Sequence, residues 1–187
     1  MEESVPERGG NAASDFPVRR IRVHDWTLYR DIRLKALRSD PLAFCTTLGE
    51  ALAYDDAEWI ERSRNHATSP TAGLWLAFHG SMPVGIAGIY EDKGTFNLFH
   101  MWIEPDYRGR HIGRKLVETA TAWAKSGQPS VPIRLDVVTT QQDAIHLYSR
   151  CGFAPTGRVT DIPCDTKTGQ CTAVARQMIE MVLIEKD

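Results

Sequence analysis

The sequence predicts an α/β (α+β) domain in which helices flank a mixed, mostly antiparallel central sheet of about six to seven strands. Segments with strand-like alternation lie between segments with helical spacing along most of the chain. Three consecutive short strands between positions 73 and 103 are separated by turn-forming residues, which indicates antiparallel pairing. A strand, a helix and another strand follow between positions 96 and 138, and such a unit pairs its two strands in parallel.

Length and composition suit one globular domain without a basic excess. The chain has 187 residues, of which 42% are hydrophobic and 25% are charged, and its formal net charge is −2. This balance argues against a general nucleic-acid binder. No apolar run is long enough to span a bilayer, and the first four residues, Met-Glu-Glu-Ser, lack a signal-peptide pattern. We therefore expect a cytoplasmic protein with no nucleic-acid or membrane partner.

Residue types that commonly bind metals are scattered along the chain. The four cysteines show no Cys-x-x-Cys spacing, and the six histidines do not cluster with them at ligand spacing. We therefore expect reduced thiols and no metal site.

The first residues are predicted to form a tail that leads into a single domain. Residues 1–17 are polar, contain two prolines and lack hydrophobic periodicity, so we expect a mobile tail. The domain would then comprise residues 18–187. Its first strand is predicted at Val18–Val23, where apolar and basic residues alternate.

Two helical regions are predicted next. Asp25 is positioned to cap a helix that extends to about Arg38, ahead of Pro41. A second region covers about 48–65, and the resemblance of Asp55–Glu58 to a capping box indicates that this region divides there.

The remaining elements follow from periodicity and turn residues. In order, they are a hairpin at 73–90, a strand at 96–103, a helix at 111–126, a strand at 131–138, a helix with a Thr140–Asp143 capping box that ends at Gly152, a turn-rich stretch from 154, and a final strand at about 174–184.

The turn before the helix at 111–126 has the composition of an anion site. Arg108, Arg110 and Arg114 surround the helix start, which has no Ser, Thr, Asp or Asn cap, and Gly109 and Gly113 allow close approach to the backbone. Free amides, the positive end of the helix dipole and guanidinium groups favour a phosphate chain. The alternative is an exposed turn with solvated charges. The Walker loop and the dinucleotide fingerprint require other glycine spacings, so neither matches.

This turn, read as Arg108-Gly-Arg-His-Ile-Gly113, resembles the acetyl-CoA pyrophosphate loop of the GNAT acetyltransferases. It departs from the family pattern at His111, where the family usually has a glycine. A second signature of the family resembles the later helix, with matches at Ala144, Leu147, Tyr148, Gly152 and Phe153 and with Gln141 in place of the usual asparagine. The two motifs occur in the family's order, and the resemblance covers roughly residues 18–185.

The resemblance implies a GNAT fold whose parallel strand pair splays apart to admit acetyl-CoA as co-substrate. The implied cofactor-binding residues form three groups. These are Met101, Trp102 and Ile103 along the pantetheine, Arg108, Gly109, Arg110, His111, Ile112, Gly113 and Arg114 at the pyrophosphate, and Gln141, Ala144 and Tyr148 on the later helix.

The implied reaction moves an acetyl group to a primary amine, with Tyr148 as the catalytic proton donor to the departing thiol. The base for the amine is left unassigned among His100, Glu91, Glu104 and a water chain. Simple strand alternation places His100 and Glu104 on the wrong face unless a bulge intervenes.

The acceptor is open to several interpretations. We favour a small-molecule amine, with a protein N-terminus or lysine as the alternative. The helices between 25 and 65 and the 155–173 segment would line the acceptor side by resemblance. A non-catalytic acyl-CoA-binding sensor is the competing class of function. The last strand could also extend the sheet across a homodimer.

Overall fold

The computed structural model describes residues 16–162 and 176–184, which form one seven-stranded sheet with helices on both faces. The strands are β1 (Val18–Arg20), β2 (Ala72–His79), β3 (Met82–Asp92), β4 (Thr95–Ile103), β5 (Ile133–Val138), β6 (Phe153–Ile162) and β7 (Arg176–Leu183). The helices are α1 (Trp26–Ser39), α2 (Leu48–Leu52), α3 (Asp56–Thr68), α4 (Ile112–Gly127) and α5 (Gln142–Arg150).

The sheet is mixed and mostly antiparallel, as the sequence predicted. Its strand order is β1-β2-β3-β4-β5-β7-β6, and only β4 and β5 pair in parallel. That parallel pairing is confined to Phe96 with Ile133 and Asn97 with Arg134, at the N-terminal ends of both strands. Beyond this point the two strands diverge. The predicted splayed pair is therefore present, and it opens toward the basic turn after β4.

Each face of the sheet has its own hydrophobic core. Helices α4 and α5 cover one face, where Ile112, Leu116, Ala120 and Ala124 are buried at the four-residue spacing that the sequence displayed. Helices α1, α2 and α3 cover the other face. Since α1–α3 pack on the first half of the sheet, the same face of β5 and β7 is left without a helix among the described residues.

Strand β6 was missed by the sequence analysis, which predicted a turn-rich stretch there. The strand contains Pro155 and Gly157, and its pairing with β7 is interrupted by a bulge between Pro155 and Val159. Proline and glycine are typical of bulges, and they masked the strand period. The N-terminal part of the final predicted strand, 174–175, lies outside the described residues.

Two of the three predicted helix caps were wrong. Asp25 accepts hydrogen bonds from Arg19 and from the Arg22 amide rather than from α1. Helix α5 begins at Gln142 and receives no side-chain cap, so the predicted Thr140–Asp143 capping box does not form. Asp55 does cap α3, because its Oδ1 accepts from the Glu58 amide at 2.8 Å.

The predicted mobile tail, residues 1–17, extends too far toward the domain. Phe16 is only 6% exposed and packs its ring edge-on against Tyr107, with ring centroids 5.9 Å apart. Residues 1–15 of the predicted tail lie outside the described residues.

Candidate functional site

The turn between β4 and α4 presents a row of unused amide donors. Gly109 and His111 adopt left-handed conformations with φ of 76° and 61°, so the turn curls its backbone N–H groups toward one side. None of the six amides from Gly109 to Arg114 donates to a described residue. The start of α4 adds its dipole to these donors. The backbone therefore has the arrangement predicted for a pyrophosphate site.

Arg108 was predicted to contribute its charge to this site, and the structure gives its side chain another partner. Its Nη2 donates to Asp40 at 2.8 Å, and its Nε donates to the Ile103 carbonyl at 3.0 Å. The same Asp40 carboxylate accepts from Trp102 Nε1 at 2.7 Å. Burial opposes ionisation of Asp40, but the hydrogen bonds from Trp102, Ser39 and Arg108 outweigh it and lower its pKa. This group, which we call the Asp40 clamp, joins the end of α1 to the end of β4 and to Arg108 in the turn.

The other basic residues of the turn remain near its surface. A surface cavity of about 450 Å³ is lined by Arg110, His111, Arg114 and Lys115, among others. Arg114 pairs with Glu118 at 2.7 Å, and both side chains are more than half exposed. Such an exposed pair contributes little to stability, so a phosphate group can compete for Arg114.

The C-terminal half of β4 has an open edge beside this turn. The Glu104 amide donates to Val84 in β3, and strand alternation therefore directs the amides of Ile103 and Met101 toward the gap left by β5. A β-carbon at Gly113 would approach the Met101 methyl to 3.0 Å. The strand edge and the turn thus adjoin, and an extended chain such as pantetheine could add to the strand there.

Helix α5 packs beside the turn, since Leu147 and Met101 both lie next to Gly113, and it carries Tyr148. Tyr148 is 7% exposed and belongs to the core under α4 and α5, next to Phe153. Burial raises the pKa of its phenol, which keeps the group protonated. Its hydroxyl donates to none of the described residues. Ala144 is partly buried on the same helix, and Gln141 occupies the position before the first turn. Tyr148 therefore has the properties of an available proton donor.

The bulge that the sequence analysis left open is present in β4. Pairing with β3 shifts so that Ile86 faces Trp102 while Gly88 faces Phe99, which leaves one extra residue in β4. His100 takes a φ of 55° at this point. Consequently Phe99 and His100 lie on the same face, and their rings contact His66 and Tyr29, respectively. His100 thus faces the α1–α3 side rather than the side that alternation predicted.

Of the three predicted base candidates, His100 is weakened by its surroundings, and each of the two glutamates has an oxygen that interacts with another residue. Burial, together with Arg33, His66 and Arg62, lowers the pKa of His100 well below its usual value, which makes its imidazole a weak base. The Glu91 carboxylate accepts from the Gly94 amide at 2.6 Å, in the turn at the closed end of the β4–β5 pair. Glu104 forms an ion pair with Lys35.

Asp136 on β5 is a candidate site residue that the sequence analysis did not name. Leu135 and Val137 point into the core under α4 and α5, so Asp136 points to the opposite face. Continuing the parallel register beyond Asn97 and Arg134 brings Asp136 level with Phe99, beside the bulge. Burial and then the neighbouring Glu180 raise the pKa of Asp136. The polar residues at 134 and 136 in an otherwise apolar strand were the available signal.

Glu180 itself is already satisfied. Its carboxylate accepts from Thr156 at 2.9 Å and lies 3.5 Å and 3.4 Å from Arg134 and Arg158. Asp136, by contrast, accepts no hydrogen bond from any residue that the structure describes. The phenol of Tyr148 and the carboxylate of Asp136 thus lie on opposite faces of the sheet.

Residues 16–162 and 176–184 contain neither a metal-binding cluster nor a membrane-spanning helix. No group of three or more His, Cys, Asp or Glu side chains has the arrangement of a metal site. No helix in that part of the chain is long and apolar enough to cross a membrane.

Comparison with known proteins identifies a family for this chain. The model of the acetyltransferase (GNAT) family matches residues 34–153. The chain is 27% identical to N-acetyltransferase 8B of Homo sapiens over 134 residues, which are 71% of this chain and 52% of that protein. The chain spans about half the length of the curated relatives it matches.

Solved structures agree on the fold. A GNAT-family acetyltransferase from Streptococcus pneumoniae has a TM-score of 0.74 at 22% identity, with 90% of this chain and 98% of that chain covered. An acetyltransferase from Salmonella typhimurium, solved with its cofactor acetyl-CoA, has a TM-score of 0.71 at 15% identity, with 93% and 97% covered.

Proposed function

Because the family match covers well over half of its residues, the chain belongs to the acetyltransferase (GNAT) family, and we propose that it acetylates the primary amine of a small molecule. Acetyl-CoA is the co-substrate of this family and supplies the acetyl group as a thioester. The observation that carries the proposal is the row of six unused amides beside an open strand edge. A diphosphate and an extended amide chain require those two features together.

Different residues of this chain bind different parts of acetyl-CoA. The amides from Gly109 to Arg114 hold the pyrophosphate, with Arg110 and Arg114 supplying charge nearby. The strand edge at Met101 and Ile103 orients the pantetheine and can polarise the thioester carbonyl. The Asp40 clamp keeps the turn in register with β4. Gln141 and Ala144 border the far side of the opening.

Proton transfer is assigned to the two opposed groups. As the new N–C bond forms and the C–S bond breaks, Asp136 accepts a proton from the amine and Tyr148 donates one to the departing sulfur. A free amine with a pKa near 10 is only about 0.1% neutral at pH 7, a deficit of roughly 4 kcal/mol. A carboxylate whose pKa is raised is a stronger base than an ordinary aspartate, so Asp136 offsets part of that deficit.

A screen of acceptors with acetyl-CoA tests the proposal. We expect purified protein to release free thiol above the hydrolysis blank with at least one small primary amine, and release should saturate with amine concentration. Peptides with a free N-terminus or an internal lysine form the comparison arm. A preference for those peptides would contradict the small-molecule acceptor. Tight acetyl-CoA binding without release on any amine would instead indicate a sensor.

A further inference from the structure

A buried guanidinium on α1 has no anionic partner. Arg33 is 3% exposed, and its Nη1 is buried without a hydrogen bond. No carboxylate among the described residues pairs with it. Its guanidinium carbon lies 4.4 Å from the centroid of the Phe44 ring. Buried charges in proteins are normally paired, since an uncompensated one is strongly destabilising.

Two imidazoles that contact the Tyr29 ring share this lack of partners. The Nδ1 atoms of His66 and His100 are both buried without a hydrogen bond. Both rings contact Tyr29, at centroid distances of 5.9 Å and 6.2 Å. Arg33 is one of the charges acting on His100, so these groups are close enough to interact electrostatically. We call Arg33, His66 and His100 the Arg33 pocket. It offers positive potential and polar atoms, and it lacks an anion.

The pocket lies on the acceptor side of the opening between β4 and β5. His100 belongs to the β4 bulge, which is level with Asp136 on the same face. On the other side, Arg33 interacts electrostatically with Cys45, whose sulfur lies 3.8 Å from that of Met178 on β7. Met178 in turn pairs with Val138 at the end of β5. Arg33 therefore lies on the α1–α3 face of the sheet, the face to which Asp136 also points.

We propose that Arg33 binds a carboxylate of the acceptor, so that the substrate is an amine that also carries a carboxylic acid. This inference rests on the proposed acetyl transfer. A guanidinium binds a carboxylate through two parallel hydrogen bonds, and one carboxylate neutralises one guanidinium. A phosphate dianion would leave a net negative charge in a buried site. The Phe44 ring would contact the carbon chain between the two ends of the substrate.

Matched acceptors test this directly on the unmodified protein. For each of several amino acids, thiol release is measured alongside the corresponding carboxamide, which has the same amine and side chain but no negative charge. We expect kcat/KM to favour the acid by about 10- to 100-fold, since a hydrogen bond to a charged group contributes roughly 1.5–3 kcal/mol. Equal values for acid and amide would overturn the inference and leave the acetyltransferase assignment intact.

Substitutions at Arg33 provide the second test. Arg33→Met should raise KM for the acid by about tenfold or more and leave KM for the carboxamide nearly unchanged. Arg33→Lys keeps a positive charge and should raise KM for the acid by less than Arg33→Met does. Arg30→Met, on the same helix but paired with Asp56 at its surface, is the matched control and should retain the preference. Equal losses for acid and amide in Arg33→Met would contradict a role in recognising the carboxylate.

A binding measurement does not depend on turnover. The N-acetylated acid, which is the expected product, should raise the thermal midpoint of the unmodified protein more than its carboxamide does. The shift is compared with that of Arg33→Met, and Arg33→Lys is used for this comparison if Arg33→Met does not fold. If the product acid did not shift the thermal midpoint of the unmodified protein or of the variant, while acetyl-CoA still bound, the Arg33 pocket would not be a carboxylate site. Loss of acetyl-CoA binding, in contrast, would count against the proposed function itself.

Discussion

At the scale of single residues, burial adjusts the proposed proton donor and acceptor in useful directions. The phenol of Tyr148 has a raised pKa, which favours the protonated form that can donate to a thiolate. The carboxyl of Asp136 also has a raised pKa, which makes its ionised form a better base. The two groups differ in exposure, because Tyr148 is buried within the core whereas Asp136 is partly exposed on a face without a helix.

Tyr148→Phe removes the proposed donor without changing the packing of the ring. We expect kcat to fall by roughly 100-fold, the lower end for general acid catalysis, with little change in acetyl-CoA affinity. Steady-state kinetics and calorimetric titration with acetyl-CoA measure the two effects separately. Tyr90→Phe, at an exposed position of β3, is the control. Turnover that survived Tyr148→Phe unchanged would remove this residue from the mechanism.

Asp136→Asn tests the proposed base. We expect kcat to fall by roughly 100-fold or more, and the acidic limb of the pH–rate profile to change. The fold should not suffer, because a raised pKa means that the folded state disfavours the charged form at neutral pH. The thermal midpoint should therefore stay the same or rise. Asp92→Asn, on an exposed residue at the end of β3, is the matched control.

His100 is the alternative base, and the same kinetic measurements distinguish it from Asp136. If Asp136→Asn kept full activity while His100→Ala altered the pH–rate profile, the base would lie on β4 rather than β5. A profile that is identical in His100→Ala would exclude that imidazole.

At the scale of elements, the phosphate-binding turn depends on backbone conformation more than on side chains. His111 occupies the position where the family usually has glycine, and its φ of 61° explains that preference. An imidazole tolerates this conformation better than a β-branched side chain does. The residue would therefore act through its amide and its backbone angles rather than through its ring.

A pair of substitutions at His111 separates these two possibilities. His111→Gly should preserve acetyl-CoA affinity within about threefold, because glycine adopts a left-handed conformation freely. His111→Val should weaken binding by about tenfold, since a left-handed conformation costs roughly 1–2 kcal/mol for a non-glycine residue and more when it is β-branched. Calorimetric titration gives both affinities, and thermal unfolding checks the fold. Equal losses in the two variants would show that the imidazole itself binds the cofactor.

The sequence predicted those elements whose signals are local. The basic turn, the absence of a side-chain cap on α4 and the four-residue apolar spacing can all be read within a few residues. The clamp between Asp40 and Arg108 joins residues 68 positions apart, and nothing near either one indicates the other. The β4 bulge likewise depends on how that strand pairs with β3.

For Arg33 and Asp136, the sequence carries a local signal of position but not of the surroundings of the side chain. Arg33 falls four residues after Tyr29 and four before Leu37, on the buried face of α1, so helical spacing could have identified a buried arginine. Asp136 interrupts the apolar positions of β5. What the sequence could not show was that Nη1 of Arg33 is buried without a hydrogen bond and that Asp136 accepts none from the described residues.

At the scale of the whole molecule, one buried histidine couples the fold to pH. Burial, followed by Arg62 and Arg20, lowers the pKa of His66 to about 4, from an ordinary value of 6.5. Between these two pH values the unfolded chain binds a proton that the folded protein rejects. The free energy of unfolding therefore rises with pH across this window. The full contribution of His66 to stability is present above about pH 6.5.

Acidification should consequently destabilise the protein before its carboxylates titrate. From pH 6.5 to 4, we expect His66 alone to cost roughly 3 kcal/mol of unfolding free energy, measured by urea denaturation at a series of pH values. His66→Phe keeps an aromatic ring against Tyr29 and Phe99 and should flatten this dependence. His100, with its own lowered pKa, would retain part of the slope. His146→Gln, on the exposed side of α5, should leave the slope unchanged, and an unaltered slope in His66→Phe would contradict the assignment.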